Sequence, residues 1–252
     1  MEIRLNDRVV LVTGGSSGIG EAICRCLAEA GATVALHFRS RREHAEELVA
    51  SFGRESEAFQ ADFSEPRNAT ALFDRVIERY GVVDVLVNNA GIFVDSPVER
   101  ESDLWLDDWN RTLAVNLTAA GMLCRSAINH FRERSGGRII HIASRAAFRG
   151  ETEEYLAYAA SKGGLVSLSR SIARSFGHHN ITSFVIAPGF VRTPMTADYL
   201  ARNEKRIIEG ELALRELTSP TDIAPLVAFI SGGMMDHATG CTIDINAGSY
   251  MR

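Results

Sequence analysis

The stretch Leu11-Val12-Thr13-Gly14-Gly15-Ser16-Ser17-Gly18-Ile19-Gly20, LVTGGSSGIG, decides how this chain is read. An apolar run, Val9–Val12, enters it, and a helical pattern, EAICRCLAEAGA, leaves it. Six of the seven residues from 14 to 20 are Gly or Ser, so the segment is either a flexible turn or a loop whose backbone admits a phosphate. Its place after a strand and before a helix favours the second reading. There, glycines permit a tight turn, close approach of backbone to a pyrophosphate, and close helix–sheet packing. The helix N-terminus adds unpaired N–H groups and the positive end of a dipole. Gly14, Gly18 and Gly20 are the glycines of such a loop, spaced G-x-x-x-G-x-G.

The rest of the chain supplies the context this reading needs. Val9–Val12, Val34–Phe38, Glu57–Gln60, Val83–Val87, Arg138–Ala143, Thr182–Ala187 and Thr242–Ile245 read as strands. Several are apolar almost throughout, as strands covered on both faces are. Helical patterns lie between them. One opens at Ser64-Glu65-Pro66, with Ser64 as N-cap and Pro66 in the first turn. It carries Leu72, Phe73, Val76, Ile77 and Tyr80 on one face and stops at Gly81. Another opens at Ser219-Pro220 and ends near Gly232-Gly233. Strand and helix in alternation predict a doubly wound α/β fold, a seven-stranded parallel sheet with helices on both faces. No composition break divides residues 1–252, so one domain is expected. Residues 190–218 are helical in pattern but hold no strand, and are expected to lie over the top of the sheet as a substrate lid.

Composition narrows the function. The chain has 252 residues, 46% of them apolar, which is enough for a sizeable core. The net charge is −5 with both signs interspersed, which argues against a nucleic-acid binder. Cys24, Cys26, Cys124 and Cys241 form no CxxC pair, and the seven histidines show no HxxxH or HExxH spacing, so no metal site is expected. The N-terminus lacks a signal-peptide pattern and no apolar run approaches the ~20 residues of a membrane helix. A cytoplasmic protein with reduced thiols is the expectation.

The residues Thr13–Gly20 resemble the TGxxxGIG motif of the short-chain dehydrogenase/reductases, and independent stretches extend the resemblance. Asn88-Asn89-Ala90-Gly91 is similar to the family's NNAG, and Tyr158-Ala159-Ala160-Ser161-Lys162 to its YxxxK. Asn116 within AVNLT and Ser144 after the fifth strand match its catalytic Asn and Ser. Pro188-Gly189 matches its PG, and Thr239-Gly240 through Asn246-Ala247-Gly248 its usual close. The resemblance runs from about residue 5 to the C-terminus, and it implies a single-domain Rossmann fold.

It also implies a chemistry. Tyr158 and Lys162 stand four apart, on one face of a helix with Leu165, Leu168, Ile172 and Phe176 as its apolar stripe. A neighbouring ammonium favours a phenolate and lowers a Tyr pKa that is otherwise near ~10. By resemblance Tyr158 is the general acid/base, while Lys162 tunes it and holds the nicotinamide ribose. Ser144 hydrogen-bonds the carbonyl oxygen, and Asn116 holds a relay water. Ser144 precedes Tyr158 by 14 residues, one more than the family's usual spacing, which lengthens the loop 146–154. The reaction implied is hydride transfer between a nicotinamide and a carbinol or carbonyl carbon, with no metal.

The second strand ends Phe38-Arg39-Ser40, where enzymes that prefer NAD place an acid. A guanidinium there pairs with a 2′-phosphate, so Arg39 and Ser40 point to NADP, with Arg41 or Arg42 adding charge. The resemblance places Ser16, Ser17 and Ile19 of the glycine loop, Asp62 and Phe63, and Asn89, Ala90 and Gly91 along the cofactor. It places Pro188, Gly189, Val191 and Thr193 at the nicotinamide. Phe93, Phe148 and Tyr155 are expected to give the substrate pocket an apolar part.

The NAGSYM close and much of the chain resemble bacterial 3-oxoacyl-acyl-carrier-protein reductases. That implies an acidic acyl carrier protein docking on Arg132, Arg134 and Arg174. Sugar, steroid, pteridine or xenobiotic ketones remain open. So does an NADP-holding redox sensor without turnover. His37-Phe38-Arg39-Ser40 is also similar to pteridine reductases, but Gly18 stands where they usually have arginine. Family members usually form homotetramers through the helices bearing Asn116 and Tyr158, and the same is expected here.

Overall fold

In the computed structural model, which describes residues 3–53 and 55–252, the glycine-rich stretch joins strand β1 (Val9–Val12) to helix α1 (Gly18–Glu29). Alternation then continues through β2 (Thr33–Phe38), α2 (Arg42–Ala50), β3 (Glu57–Gln60), α3 (Arg67–Tyr80) and β4 (Val85–Asn88). Next come α4 (Ser102–Leu113), a π-helical turn (Ala114–Thr118), α5 (Ala119–Arg132), β5 (Gly137–Ile142) and the short α6 (Ala146–Arg149). The chain closes with α7 (Leu156–Phe176), β6 (Ile181–Pro188), α8 (Ala197–Gly210), α9 (Pro220–Ser231) and β7 (Thr242–Ile245). The seven strands form one parallel sheet in the order β3-β2-β1-β4-β5-β6-β7. The order reverses between β1 and β4, and ligands of such sheets bind outside the carboxyl ends of the strands at that point.

Alternate residues of the central strands feed two cores. Val10, Val12, Val85, Val87, Ile140 and Ile142 face Ile23 and Leu27 of α1 and Ile223 and Val227 of α9. Leu11, Leu86 and Ile139 face Leu72 and Phe73 of α3 and Leu123 and Phe131 of α5. A sheet covered on both sides leaves its two strand-end edges as the places where loops can build a site.

The helix boundaries follow local chemistry, with one correction. Gly81 ends α3 at φ 70° and donates its N–H to the Ile77 carbonyl at 2.7 Å. Ser219 caps α9 through a reciprocal pair with Asp222. Ser64 does not cap α3. Its N–H donates to Asp62 Oδ1 at 2.9 Å, so the serine is spent in a turn, and the helix starts at Arg67 behind Pro66. Helices α4 and α5 follow one another directly, with only the π turn that carries Asn116 between them. Residues 190–218 hold α8, anchored by a bridge between Val191 and Thr218. Leu200, Ile207 and Leu212 form a small core of their own there.

Phe131 has no exposed surface and packs against Gly137 at the start of β5. Phe131→Ala is expected to cost about 3–5 kcal/mol, read as a lower urea midpoint at constant m-value.

Candidate active site

The glycine loop is fixed by the loop that follows β4. Thr13 Oγ1 accepts from the N–H groups of Asn89 and Ala90, both at 2.9 Å, and donates to the Val87 carbonyl at 3.2 Å. The Asn89 side-chain amide returns the contact, donating to the Thr13 carbonyl at 2.8 Å and the Gly14 carbonyl at 3.1 Å. Gly14 takes φ 64° and Gly18 φ 54°, conformations that favour glycine. At Gly20 a Cβ would fall 2.1 Å from the Gly14 carbonyl oxygen, so only glycine lets the loop fold back on α1.

His37, at the end of β2, holds the same loop from the other side. The Gly14 N–H donates to His37 Nδ1 at 3.0 Å, which leaves Nε2 to donate to the Ala61 carbonyl at 3.1 Å. The ring stacks on Phe63 at 4.2 Å. Burial pushes its pKa down to about 4, so the imidazole is neutral and fixed in one tautomer. Sequence reasoning gave His37 and Thr13 no role. A polar residue inside the apolar run Val34–Phe38 was the available signal for His37.

Two adjoining clefts open above this loop and share Gly14, Ser17, Ala90, Gly91, Pro194 and Met195. One is lined by Ser16, Arg39, Ser40, Arg41, Asp62 and Phe63, besides His37. The other is lined by Gly18, Ile19, Gly20, Asn89, Ser144, Tyr158, Lys162, Pro188, Gly189, Val191 and Thr193. All the residues read as cofactor-contacting therefore border one continuous groove. The glycine cradle, the open N-terminus of α1 and the arginine-bearing end fit a dinucleotide. The Asp62 carboxyl is held below its usual range by the N–H and hydroxyl of Ser64, with Arg39 and Arg111 adding to the effect.

Tyr158 and Lys162 lie on the first turns of α7, with the Lys162 ammonium 5.6 Å from the Tyr158 ring centre. Lys162 is 4% exposed and donates to the Ile142 carbonyl at 2.9 Å. Burial lowers its pKa to about 8. Burial also raises the Tyr158 phenol to about 12, against the pull of its hydrogen bond with Ser144, and Glu151 raises it further. Ser144 is anchored by its own contact, Oγ accepting from the Ala146 N–H at 3.1 Å.

Asn116 sits in the π turn, behind the groove rather than on it, and is 1% exposed. Its Oδ1 accepts from the Ile92 N–H at 2.7 Å, and its Nδ2 donates to the Ile92 carbonyl at 3.0 Å and Ser161 Oγ at 3.1 Å. A π turn is a costly local irregularity that occurs mostly at functional sites. Here it delivers a side-chain amide to the loop beneath Lys162.

Phe93 and Tyr155 stack at 3.8 Å, and Phe93 meets Tyr158 edge-on at 4.9 Å. Phe148 does not join them. It packs on Ala143, Val166 and Val185, with the Arg252 guanidinium 4.5 Å from its ring centre. The short α6 turns it toward β6 and the C-terminus. Among the described residues no group of three His, Cys, Asp or Glu could hold a metal, and no helix is long and apolar enough to cross a membrane.

A family model described as short chain dehydrogenase matches residues 8–204, and the chain belongs to the short-chain dehydrogenase/reductase family. It is accordingly an oxidoreductase acting between alcohol and ketone groups, of a family that binds NAD(P). Among its relatives, 3beta-hydroxysteroid dehydrogenase 1 of Eggerthella lenta is 35% identical over 97% of this chain and 94% of its own length. A 3-oxoacyl-acyl-carrier-protein reductase of Aquifex aeolicus is 32% identical over 99% of this chain and all of its own length. A protein of Beutenbergia cavernae, provisionally assigned as an NAD(P)-dependent gluconate 5-dehydrogenase and solved with NADP at low occupancy, superposes with a TM-score of 0.90. It is 33% identical, with 99% of each chain covered.

His37 and His141 are both buried and neutral, the latter with its pKa pushed down to about 3 mainly by burial. Between pH 6.5 and 4 the unfolded chain binds protons at these sites that the folded chain refuses, so stability falls as pH falls. The urea midpoint is expected to drop from pH 7 to pH 4.5, and a His37→Phe variant to show a shallower drop.

Proposed function

We propose that this protein is an NADP-dependent carbonyl reductase in which Tyr158 is the proton donor. The observation that carries the reading is the meeting of the Tyr158 phenol, Ser144 and the buried ammonium of Lys162 on the groove that the glycine loop floors. Bound NADPH would supply the hydride to the carbonyl carbon. The chain's residues then have separate tasks. Ser144 and Tyr158 place two hydroxyls where the carbonyl oxygen gains negative charge. A phenol raised to about 12 is protonated at neutral pH, so Tyr158 is set to give a proton as the alkoxide forms. Lys162, still mainly cationic at pH 7, stabilises the phenolate left behind and can reach a ribose hydroxyl. Asn116 holds the Ile92 peptide in place below it.

The preference for NADP rests on charge. Arg39 and Arg41 border the adenosine end of the groove, together with Ser40. Arg42 begins α2, pairs with Glu46 at 3.2 Å and lies over Phe38, so it is engaged elsewhere. The substrate named by several relatives is a 3-oxoacyl thioester on a carrier protein. Exposed Arg132, Arg134 and Arg174 on α5, its exit and α7 suit an acidic partner. The half-buried apolar residues between α5 and α7, Leu168 and Phe176, support a homotetramer assembled on that face.

The test is NADPH oxidation with acetoacetyl-coenzyme A, with NADH as control. Tyr158→Phe is expected to lower kcat by about 100-fold or more while NADPH fluorescence enhancement on binding persists. Arg39→Glu is expected to raise the KM for NADPH by about tenfold and leave that for NADH lower than NADPH. Turnover intact in Tyr158→Phe would remove the proposed acid, and binding without any turnover would leave a sensor. Light scattering that gives a monomer at micromolar concentration would remove the tetramer.

A further inference from the structure

Four rings from four separate segments meet beside Tyr158. Phe93 comes from the loop after β4, Tyr155 from the turn before α7, Phe190 from the loop after β6, and Tyr199 from α8. Phe93 and Tyr155 are stacked face to face, 3.8 Å apart with planes 7° from parallel. Tyr199 meets both edge-on, at 6.2 and 6.1 Å, and is itself stacked with Phe190 at 5.5 Å. Phe93 touches Tyr158. The groove at Tyr158 is therefore flanked, through Phe93, by a cluster of aromatic rings. Tyr155 is 6% exposed, and the other three rings are half-buried, so part of each remains for a ligand.

Most of the cations around this wall are paired, although Arg145 keeps one nitrogen unpartnered over the Phe190 ring, and Asp95 and Glu154 put negative charge beside Tyr155 against the opposing Arg202. Glu211 collects Arg145 at 2.8 Å, Arg149 at 3.3 Å and Arg206 at 3.2 Å. Arg192 is paired with Glu204 at 2.7 Å. Along the groove at Ser144 and Tyr158 the only charged lining group among the described residues is Lys162, already bonded to a carbonyl. A carboxylate or phosphate close to the reacting carbon would lose its water and meet, among the groups lining that groove, only the engaged Lys162, which is costly. A polyhydroxylated chain would meet ring faces with its hydroxyls unpaired. A planar ring gains stacked and edge contacts there beyond its area burial.

We propose that the substrate is an uncharged ketone carrying a ring at or next to the carbonyl, held against Phe93, Tyr155 and Tyr199. This rests on the assignment of Tyr158 as proton donor to a ketone. Two neutral 3-oxo esters that differ only in the end group test it: ethyl benzoylacetate, with a phenyl ring, and ethyl 3-oxohexanoate, with a propyl chain. The aryl ester is expected to show a kcat/KM about tenfold higher with NADPH. Tyr199→Leu is expected to lower the aryl value more than the linear one, bringing their ratio toward one. A merely structural loss would lower both in proportion and overturn the inference. Equal rates, or a preference for the propyl ester, would also overturn it. So would faster reduction of the free acid of either compound, which would point instead to Arg145, whose Nη1 is buried without a partner.

Binding separates this inference from the proton-donor assignment. The two esters are compared on the NADP+-loaded enzyme by ligand-observed NMR. Tighter binding of the aryl ester to this complex, with no reduction of it when NADPH is supplied instead, would keep the ring site and remove Tyr158 as acid. Equal binding would overturn the ring site.

Discussion

The groove depends on one hydroxyl. Thr13 Oγ1 accepts two backbone N–H groups from the loop after β4 and donates to the Val87 carbonyl near the end of that strand. It joins the ends of β1 and β4, the two strands between which the sheet order reverses. Parallel strands leave their terminal peptide groups unpaired at that edge, and an unpaired buried peptide group is expensive. Thr13, Asn89 and His37 satisfy those groups with side chains. The floor of the groove is thereby fixed before any ligand arrives.

Electrostatics then divide the groove. At one end arginines and a helix N-terminus favour an anion. At the other, burial acts on two neighbouring titratable groups in opposite senses, raising Tyr158 and lowering Lys162. Both shifts disfavour the charged form, so the pair is held nearer neutrality than in water. Under the proposed reaction, a transition state that develops negative charge on oxygen would meet a proton donor and a cation there.

Much of this was legible in the sequence, because glycine loops and parallel strands are local signals. The five inner strands lay where mainly apolar runs predicted them, as strands covered on both faces must, while the edge strands β3 (EAFQ) and β7 (TIDI) are more exposed and mixed in character. Tyr158, Lys162 and Ser144 could be read from motif and spacing, and the structure brings them together. Three features were not legible. Ser64 reads as a helix cap until one sees that Asp62 has taken its hydroxyl as well as its N–H, a competition that local propensity does not rank. Phe148 reads as a pocket residue until α6 turns it toward Arg252. The π turn at Asn116 leaves no mark on an amphipathic pattern because one extra residue shifts the face by only part of a turn. His37 was visible but mute, since its two partners are backbone groups that no sequence identifies.

The π turn ties together two parts of the groove that the chain keeps apart. Both ends of the Asn116 amide are bound to the peptide of Ile92, and the next residue is Phe93. The ring wall and the buried amide near Lys162 are thus joined through a single residue, Ile92. Were the ring wall to hold a substrate as proposed, the residue next to Phe93 would be the one that the buried amide behind the lysine grips on both its backbone groups.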